Sequence, residues 1–176
     1  MKLSSLLWNV LLLSLLVVAP AAPVESNPQA VTSRLVGTWR LIAIEGTGRG
    51  TAPGDHPKGI IIYDNTGHMA YQGIYTVNRP AFAKGLDAGT MEEKVAAYDT
   101  YDAYFGTYTV DAKAGTVTHH VEGALPPGQI GTNKVRYFEF QGNRAIYYIA
   151  EDGKGGLYPR KEDAIRRLIW ERIEPK

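Results

Sequence analysis

A histidine and an arginine on neighbouring predicted strands are the residues of this sequence best suited to chemistry. His119 shares its strand parity with Val117 and Val121, and Arg136 shares its parity with Phe138. Side chains alternate between the two faces of a strand, so the more apolar set is expected to face the core. Both polar side chains are therefore predicted to point inward, roughly opposite each other on adjacent strands.

These two residue types suggest acid–base chemistry or the binding of an anion. A histidine that titrates near neutral pH can move a proton, and a buried arginine needs a partner such as a planar two-oxygen group. Tyrosine hydroxyls from adjacent strands would complete a polar cluster. The candidate catalytic residues are His119, Arg136 and Tyr108, and the candidate ligand-binding residues are Tyr71, Tyr108, His119, His120, Arg136 and Tyr148.

Two other interpretations of these residues stay open. His119 and Arg136 could face solvent or belong to a structural hydrogen-bond network instead of a site. His120 is included because a slip of one residue would exchange the two faces of its strand.

The sequence predicts no metal site and no cofactor. His119 and His120 are adjacent and would point to opposite faces of their strand, while His56 and His68 lie at different ends of the predicted barrel. The chain has no cysteine, which excludes thiol catalysis and disulfides, and it carries no P-loop, dinucleotide or Gly-x-Ser-x-Gly motif.

Eight strands and one helix are predicted to position these side chains. The strands are rich in β-branched and aromatic residues and are bounded by turn-forming residues, at 35–45, 58–63, 68–74, 104–110, 116–123, 133–141, 144–151 and 165–173. The helix is predicted over 88–103, between the third and fourth strands, because Thr90 and Glu93 have the spacing of a capping box.

The connections alternate strictly between short and long. Tight turns follow the second, fourth and sixth strands, and long segments occupy 46–57, 75–103, 124–132 and 152–164. In an antiparallel up-and-down arrangement, all tight turns then lie at one end and all long loops at the other. The sequence predicts an all-β, eight-stranded closed barrel, closed at the tight-turn end and with its ligand mouth at the looped end.

The first 21 residues have the order of a Sec signal peptide. A basic residue is followed by an apolar run of about 16 residues and then by the small-residue site Ala19-Pro20-Ala21. The apolar run is too short for a membrane span. The predicted organisation is a signal peptide over 1–21, a flexible leader over 22–33 and a barrel domain over 34–176. The protein is expected to be secreted or exported, with no stable membrane span after cleavage, and its near-neutral charge of +1 gives no sign of a nucleic-acid partner.

The combination of motifs resembles the bacterial and fungal lipocalin-like domain family of calycin-type barrels. The motifs spread over nearly the whole predicted domain: Gly37-Thr38-Trp39, Asp64-Asn65-Thr66-Gly67-His68, Phe105-Gly106-Thr107-Tyr108, His119-His120 and Trp170-Glu171-Arg172. The resemblance implies a lipocalin-like barrel in which Gly37, Trp39, Trp170 and Arg172 are structural. It also implies that an arginine of the last strand packs on Trp39 at the tight end, with Arg172 as the first candidate and Arg166 as the second.

Three functions remain open at this point. The first is a secreted protein that binds a small apolar or amphipathic molecule in a Tyr-lined cavity. The second is a cofactor-independent isomerase, cyclase or dehydratase acting on a secondary-metabolite intermediate, since the resemblance extends to proteins of fungal natural-product gene clusters. The third is a barrel with a solid core whose surface binds another protein.

Overall fold

The eight predicted strands form a single closed barrel. The structure, a computed structural model, describes residues 27–48, 56–76, 79–149 and 161–174. Its strands are β1 Gly37–Gly46, β2 Lys58–Tyr63, β3 His68–Ile74, β4 Tyr101–Asp111, β5 Thr116–Ala124, β6 Asn133–Gln141, β7 Arg144–Ile149 and β8 Arg166–Arg172. Its helices are α1 Pro28–Leu35 and α2 Met91–Asp99, with 3-10 turns η1 Pro127–Gln129 and η2 Lys161–Asp163.

Each strand pairs antiparallel with the next one in the chain, and β8 returns to pair with β1. The eight-stranded up-and-down barrel is therefore confirmed, including the helix inserted between the third and fourth strands. The turns 64–67, 112–115 and 142–143 share one end, and the longer connections share the other. We call these the closed end and the looped end.

The capping box of helix α2 is confirmed, and the helix is shorter than predicted at both ends. The Thr90 side chain accepts the backbone N–H of Glu93, and the Glu93 carboxylate accepts the backbone N–H of Thr90, which completes the capping box. The predicted extension to residue 103 is wrong, because β4 starts at Tyr101 and pairs with Ile74 of β3. Asp102 consequently lies on a strand and is buried.

Helix α1 closes one end of the barrel. It begins inside the segment 22–33 that the sequence predicts to be a flexible leader, so that assignment is corrected for residues 28–33. The Asn27 side chain caps the helix, Pro28 occupies its first turn, and Val31 and Leu35 are buried in the barrel core. The Arg34 guanidinium donates to the carbonyl of Gly142 in the turn between β6 and β7, which attaches the helix to the closed end.

Arg172 and Trp39 form the contact expected from the family resemblance. The Arg172 guanidinium lies 4.2 Å from the centre of the Trp39 ring and donates to the carbonyl oxygens of Val36 and Arg34. Gly37 has a φ of 136°, and a Cβ atom there would collide with the Arg172 guanidinium. The Gly-x-Trp motif therefore leaves space for the arginine that seals the closed end.

Several sequence predictions fall outside the described residues. These are the signal peptide over 1–21, the leader over 22–26 and the last two residues of the predicted seventh strand. Among the described helices, none has the length and apolar character needed to cross a membrane.

Candidate functional site

The interior of the barrel holds a cavity of about 210 Å³. Its walls combine aromatic and aliphatic side chains with six polar ones. The apolar and aromatic lining residues are Ile61, Tyr71, Tyr75, Tyr104, Tyr147, Ile149, Leu168 and Trp170, and the polar lining residues are Asp102, His119, Gln129, Lys134, Arg136 and Arg166.

The cavity extends to the looped end of the barrel. Tyr75 and Arg166 lie next to long connections, and Gln129 belongs to the connection 125–132 that joins β5 to β6. At the other end, packed side chains such as Leu35 and Trp39 fill the interior. The volume is below the roughly 300–1,000 Å³ of pockets for drug-sized molecules, so the space suits a compact molecule.

His119 lies at the wall of the cavity with both ring nitrogens hydrogen-bonded to tyrosines. Its side chain is 1% exposed; Nε2 is 2.7 Å from the Tyr63 hydroxyl, and Nδ1 is 2.9 Å from the Tyr104 hydroxyl. Tyr147 donates a further hydrogen bond of 3.0 Å to the oxygen of Tyr63. Four side chains from four strands thus form one chain of hydrogen bonds, which we call the tyrosine–histidine chain: Tyr147, Tyr63, His119 and Tyr104.

The direction of hydrogen bonding along this chain follows from the first donor. Because Tyr147 donates to the Tyr63 oxygen, the buried Tyr63 proton is best satisfied by His119 Nε2. The neutral ring then carries its proton on Nδ1 and donates it to the Tyr104 oxygen. Tyr104 also lines the cavity, so the chain ends at the site.

Burial disfavours the charged forms of His119, Tyr63 and Tyr147. The pKa of His119 lies well below its usual value near 6.5, first because burial penalises the imidazolium and second because Arg136 and Lys134 repel it. Burial likewise raises the pKa of the Tyr63 and Tyr147 hydroxyls. A neutral imidazole is the form that can accept one hydrogen bond and donate another.

Positive charge predominates around the cavity. Among the described lining residues, Lys134, Arg136 and Arg166 are cationic and Asp102 is the one carboxylate. Lys134 Nζ lies 5.5 Å from the centre of the Tyr104 ring, and the Arg166 guanidinium lies 5.2 Å from the centre of the Tyr75 ring. Arg136 is only 8% exposed and donates to the carbonyl of its neighbour Val135. The described lining thus offers three cationic donor groups and one carboxylate acceptor to the cavity.

Four buried polar atoms of the lining lack a hydrogen-bond partner within the part of the chain that the structure describes. They are two acceptors and two donors: Asp102 Oδ1, Gln129 Oε1, Arg166 Nε and Trp170 Nε1. Buried polar atoms in proteins are usually hydrogen-bonded, and those that are not call for bound water or a ligand. All four residues line one cavity, which makes it the candidate binding site.

Three of the predicted site residues line the cavity. Tyr71, His119 and Arg136 are brought together there. The Arg136 backbone pairs with Val117, while His119 pairs with Lys134, so the two predicted residues are offset by two positions instead of lying opposite. Because an offset of two positions is even, both side chains still point inward.

The other three predicted site residues lie elsewhere. Tyr108 points inward, but its hydroxyl donates to the Asp64 carbonyl at the closed end, at 2.7 Å. His120 lies on the outer face, bonded to Thr109 and Asn133. Tyr148 also lies on the outer face, and its hydroxyl donates to Glu139. The structure therefore does not place these three at the cavity.

Sequence reasoning missed Tyr147 and Tyr104, and a signal for both was present. A two-residue turn at 142–143 pairs Gln141 with Arg144, and the same register pairs Phe138 with Tyr147. An inward Phe138 therefore implies an inward Tyr147. Tyr104 lies four residues before the inward Tyr108 on one strand, so alternation gives it the same face.

A second cavity lies outside the barrel, between helix α2 and the segment that precedes it. It measures about 670 Å³, and its walls include Phe82, Leu86, Ala96 and Ala97. None of the α2 residues lines the interior cavity. Within the described ranges, no cluster of three histidine, aspartate or glutamate side chains could hold a metal ion.

Comparison with known proteins gives one family. The sequence profile described as "Lipocalin-like domain" matches residues 36–173. This match covers the barrel from the residue before β1 to the residue after β8. No curated protein matches the chain.

Proposed function

Since the chain belongs to the lipocalin-like domain family, we propose that it binds one small amphipathic molecule in the cavity of its barrel. The observation that carries this proposal is the cavity of about 210 Å³, which reaches the looped end and whose lining includes buried polar atoms without a partner in the described chain. Aromatic walls would contact the apolar part of the molecule, and the polar atoms would orient it.

A substitution that fills the cavity tests this proposal. Ile149 lies at the end of β7 and lines the cavity, so Ile149→Trp should occupy the space and exclude the molecule. Ile62→Trp is the matched control, because Ile62 is exposed on the outer face of β2. Native mass spectrometry should find a co-purified small molecule on the wild type and the control, and none on Ile149→Trp. An adduct that all three proteins carry equally would place binding outside the cavity.

A second candidate function is cofactor-independent acid–base catalysis, and the tyrosine–histidine chain favours it. Tyr104 lines the cavity and its oxygen accepts from His119 Nδ1, so its hydroxyl could donate a hydrogen bond to a substrate carbonyl oxygen while the Asp102 carboxylate takes the proton from the adjacent carbon. Cationic Lys134 and Arg136 nearby would stabilise the resulting enolate. Proton transfer next to a carbonyl, as in an isomerase or a dehydratase, fits this arrangement.

Deuterium exchange at carbon tests the second candidate without knowledge of the substrate. Cyclohexanone exchanges its α-protons slowly with D₂O, and NMR measures the rate. The wild type should accelerate the exchange, and Tyr104→Phe and His119→Phe should lose the acceleration while Tyr108→Phe keeps it. Equal rates with and without protein would argue against this chemistry.

We also propose that residues 1–21 are removed on export. The basic start, the apolar run and Ala19-Pro20-Ala21 support cleavage after Ala21. Expression of the full chain in a secreting host should yield protein in the medium whose N-terminal sequence starts at Ala22. Retention of Met1 on the membrane fraction would contradict the proposal.

A further inference from the structure

We infer that the looped end of the cavity contains a hydroxyl-binding subsite, in which a neutral hydroxyl group of the ligand donates a hydrogen bond to Asp102 Oδ1. This inference rests on the proposed function and specifies one chemical group of the ligand. The supply of hydrogen-bond donors around Asp102 carries it.

Asp102 is a buried carboxylate whose strand neighbour has no side chain. It is the second residue of β4, lies near the looped end, lines the cavity and is 8% exposed. Its backbone pairs with Gly73 of β3, so the facing position offers no side-chain donor to the carboxylate. A buried carboxylate oxygen without a hydrogen bond is costly, and Asp102 therefore needs donors from elsewhere.

The tyrosine hydroxyls beside Asp102 supply a donor to one of its two oxygens. The Tyr75 hydroxyl donates to Asp102 Oδ2 at 3.2 Å. The Tyr71 and Tyr75 oxygens are 2.7 Å apart, and because the Tyr75 proton is used for Asp102, Tyr71 is the donor of that bond. Neither proton is then available to Asp102 Oδ1, which lacks a partner within the described part of the chain.

A positive charge already lies next to this carboxylate. The Arg166 guanidinium is 5.2 Å from the centre of the ring of Tyr75, whose hydroxyl bonds to Asp102. For a ligand ammonium, attraction to Asp102 would be offset by repulsion from this guanidinium, and a ligand carboxylate would be repelled by Asp102 itself. The group that suits Asp102 Oδ1 is therefore a neutral donor.

A hydroxyl fits better than a group that only donates. It donates one hydrogen bond and accepts others through the same oxygen. Arg166 Nε is a buried donor of the lining with no partner among the described residues. A hydroxyl that donates to Asp102 can also accept from such a donor, so one neutral group serves both kinds of polar atom.

The remainder of the lining suits a compact ring that carries this hydroxyl. The Tyr71 ring lies 4.9 Å from the Tyr104 ring and 6.1 Å from the Trp170 ring, measured between ring centres, so the three side chains form one aromatic wall. This wall starts at Tyr71, which is bonded to the partner of Asp102. The volume of about 210 Å³ leaves room for a small molecule, and the ligand class is a cyclic neutral alcohol.

Three six-membered-ring compounds test the subsite at pH 7. They are cyclohexanol, cyclohexanone, which has the same number of heavy atoms but no donor, and cyclohexylamine, which is positively charged at this pH. Titration followed by ¹H–¹⁵N NMR gives the dissociation constants, and cyclohexanol should bind at least about tenfold more tightly than either of the others. Equal or weaker binding of cyclohexanol would overturn the inference, as would a lack of cyclohexanol binding at about 10 mM.

The nearly isosteric variant Asp102→Asn should abolish or reverse the preference for cyclohexanol over cyclohexanone. Because Tyr75 donates to the Oδ2 position, the amide oxygen should occupy that position and the amide NH₂ should replace Oδ1, which turns an acceptor into a donor. Asp87→Asn, at an exposed position in the connection before α2, is the matched control and should keep the preference.

An unchanged preference in a folded Asp102→Asn, verified by thermal unfolding, would mean that a water molecule or another group satisfies Oδ1, and it would overturn the assignment. If this variant does not fold, the ranking of the three compounds on the wild type decides the inference.

Failure of this inference can be told apart from failure of the proposed function. A co-purified molecule without a hydroxyl group that Ile149→Trp excludes would overturn the subsite and leave binding in the cavity intact. Cyclohexanol that binds to Ile149→Trp as tightly as to the wild type would also overturn the subsite, since its site would lie outside the cavity. The proposed function would then depend on the co-purified molecule alone.

Discussion

At the scale of the residue, the main feature is a buried histidine that is kept neutral. The described part of the chain holds no cluster of side chains that could bind a metal ion. His119 has both nitrogens engaged by tyrosines and cations nearby, and its pKa is well below its usual value near 6.5 for reasons of burial and repulsion. Because the histidine of the unfolded chain takes up a proton more readily, its protonation on acidification favours unfolding.

This difference predicts how stability depends on pH. Above about pH 6.5, His119 is neutral in both states and contributes no pH dependence. Below that value the unfolded chain binds the proton first, so the free energy of unfolding should fall by up to about 1.4 kcal/mol per pH unit. Urea unfolding between pH 5 and 8 should show this fall in the wild type and in His120→Gln, and a smaller one in His119→Gln. Identical curves for His119→Gln and the wild type would contradict the prediction.

Strand alternation predicted the site residues only where one face of a strand was clearly more apolar. Val117 and Val121 set the inward face around His119, and Phe138 did so for Arg136. In β7 the consecutive Tyr147 and Tyr148 are both flanked by apolar residues, so alternation alone could not choose between them. Their faces depend on pairing with β6, which is a property of the hairpin and not of the strand.

At the scale of the element, helix α1 and the end of β8 together seal the closed end of the barrel. Arg172 connects them, since its guanidinium donates to carbonyls at the end of α1 and lies over Trp39. A partly buried guanidinium that satisfies helix-end carbonyls stabilises more than an exposed ion pair does.

Arg172→Met should therefore destabilise the protein by about 2–3 kcal/mol, because the carbonyls of Val36 and Arg34 lose charged donors and the cation–π contact is lost. Arg167→Met removes a neighbouring arginine whose partner is Glu45 at an exposed position, and should cost less than about 1 kcal/mol. Urea denaturation measures both. A similar loss for the two variants would argue against a sealing role for Arg172.

Gly37→Ala should destabilise the closed end through the same contact. A methyl group at position 37 would collide with the Arg172 guanidinium, and the φ of 136° is strained for any residue with a Cβ atom. We expect a loss of about 1–3 kcal/mol. The double variant Gly37→Ala with Arg172→Met should show less than the sum of the two losses, and strict additivity would contradict the direct contact.

The elements also show what local sequence does and does not determine. Asn27, Pro28 and the pair Val31 and Leu35 were a local signal for α1, although the surrounding polar residues suggested a leader. The end of α2 had no local signal of equal strength. It is set by β4, which starts at Tyr101 because it pairs with Ile74, and such long-range pairing is not visible in a short window.

At the scale of the whole molecule, the alternation of short and long connections predicted the barrel, and it predicted which end is closed and which end carries the long loops. The described structure places the packed core at the closed end and the cavity toward the looped end. The lining of the cavity, however, comes from side chains on seven strands, β2 to β8, together with Tyr75 and Gln129 in two of the long connections. Their convergence depends on the register of the whole sheet, which the sequence could not provide.

Occupation of the cavity should stabilise the whole barrel. A ligand that binds only the folded state at one hundred times its dissociation constant adds about 2.7 kcal/mol to the free energy of unfolding. Thermal unfolding with the small molecule that co-purifies with the wild type should therefore show a melting temperature that rises with concentration in the wild type and stays constant in Ile149→Trp. A rise of equal size in both would mean that the compound binds elsewhere.

The most direct test of binding inside the barrel is the ¹H–¹⁵N spectrum of the tryptophan indoles during titration with the small molecule that co-purifies with the wild type. Trp170 lines the cavity with an Nε1–H that lacks a partner in the described chain, whereas the Trp39 Nε1–H donates to the Leu35 carbonyl at 2.9 Å in the closed end. We predict that the Trp170 indole signal shifts with saturation and that the Trp39 signal does not. A Trp170 signal that stays fixed while the compound binds would contradict the central claim that the ligand occupies the cavity.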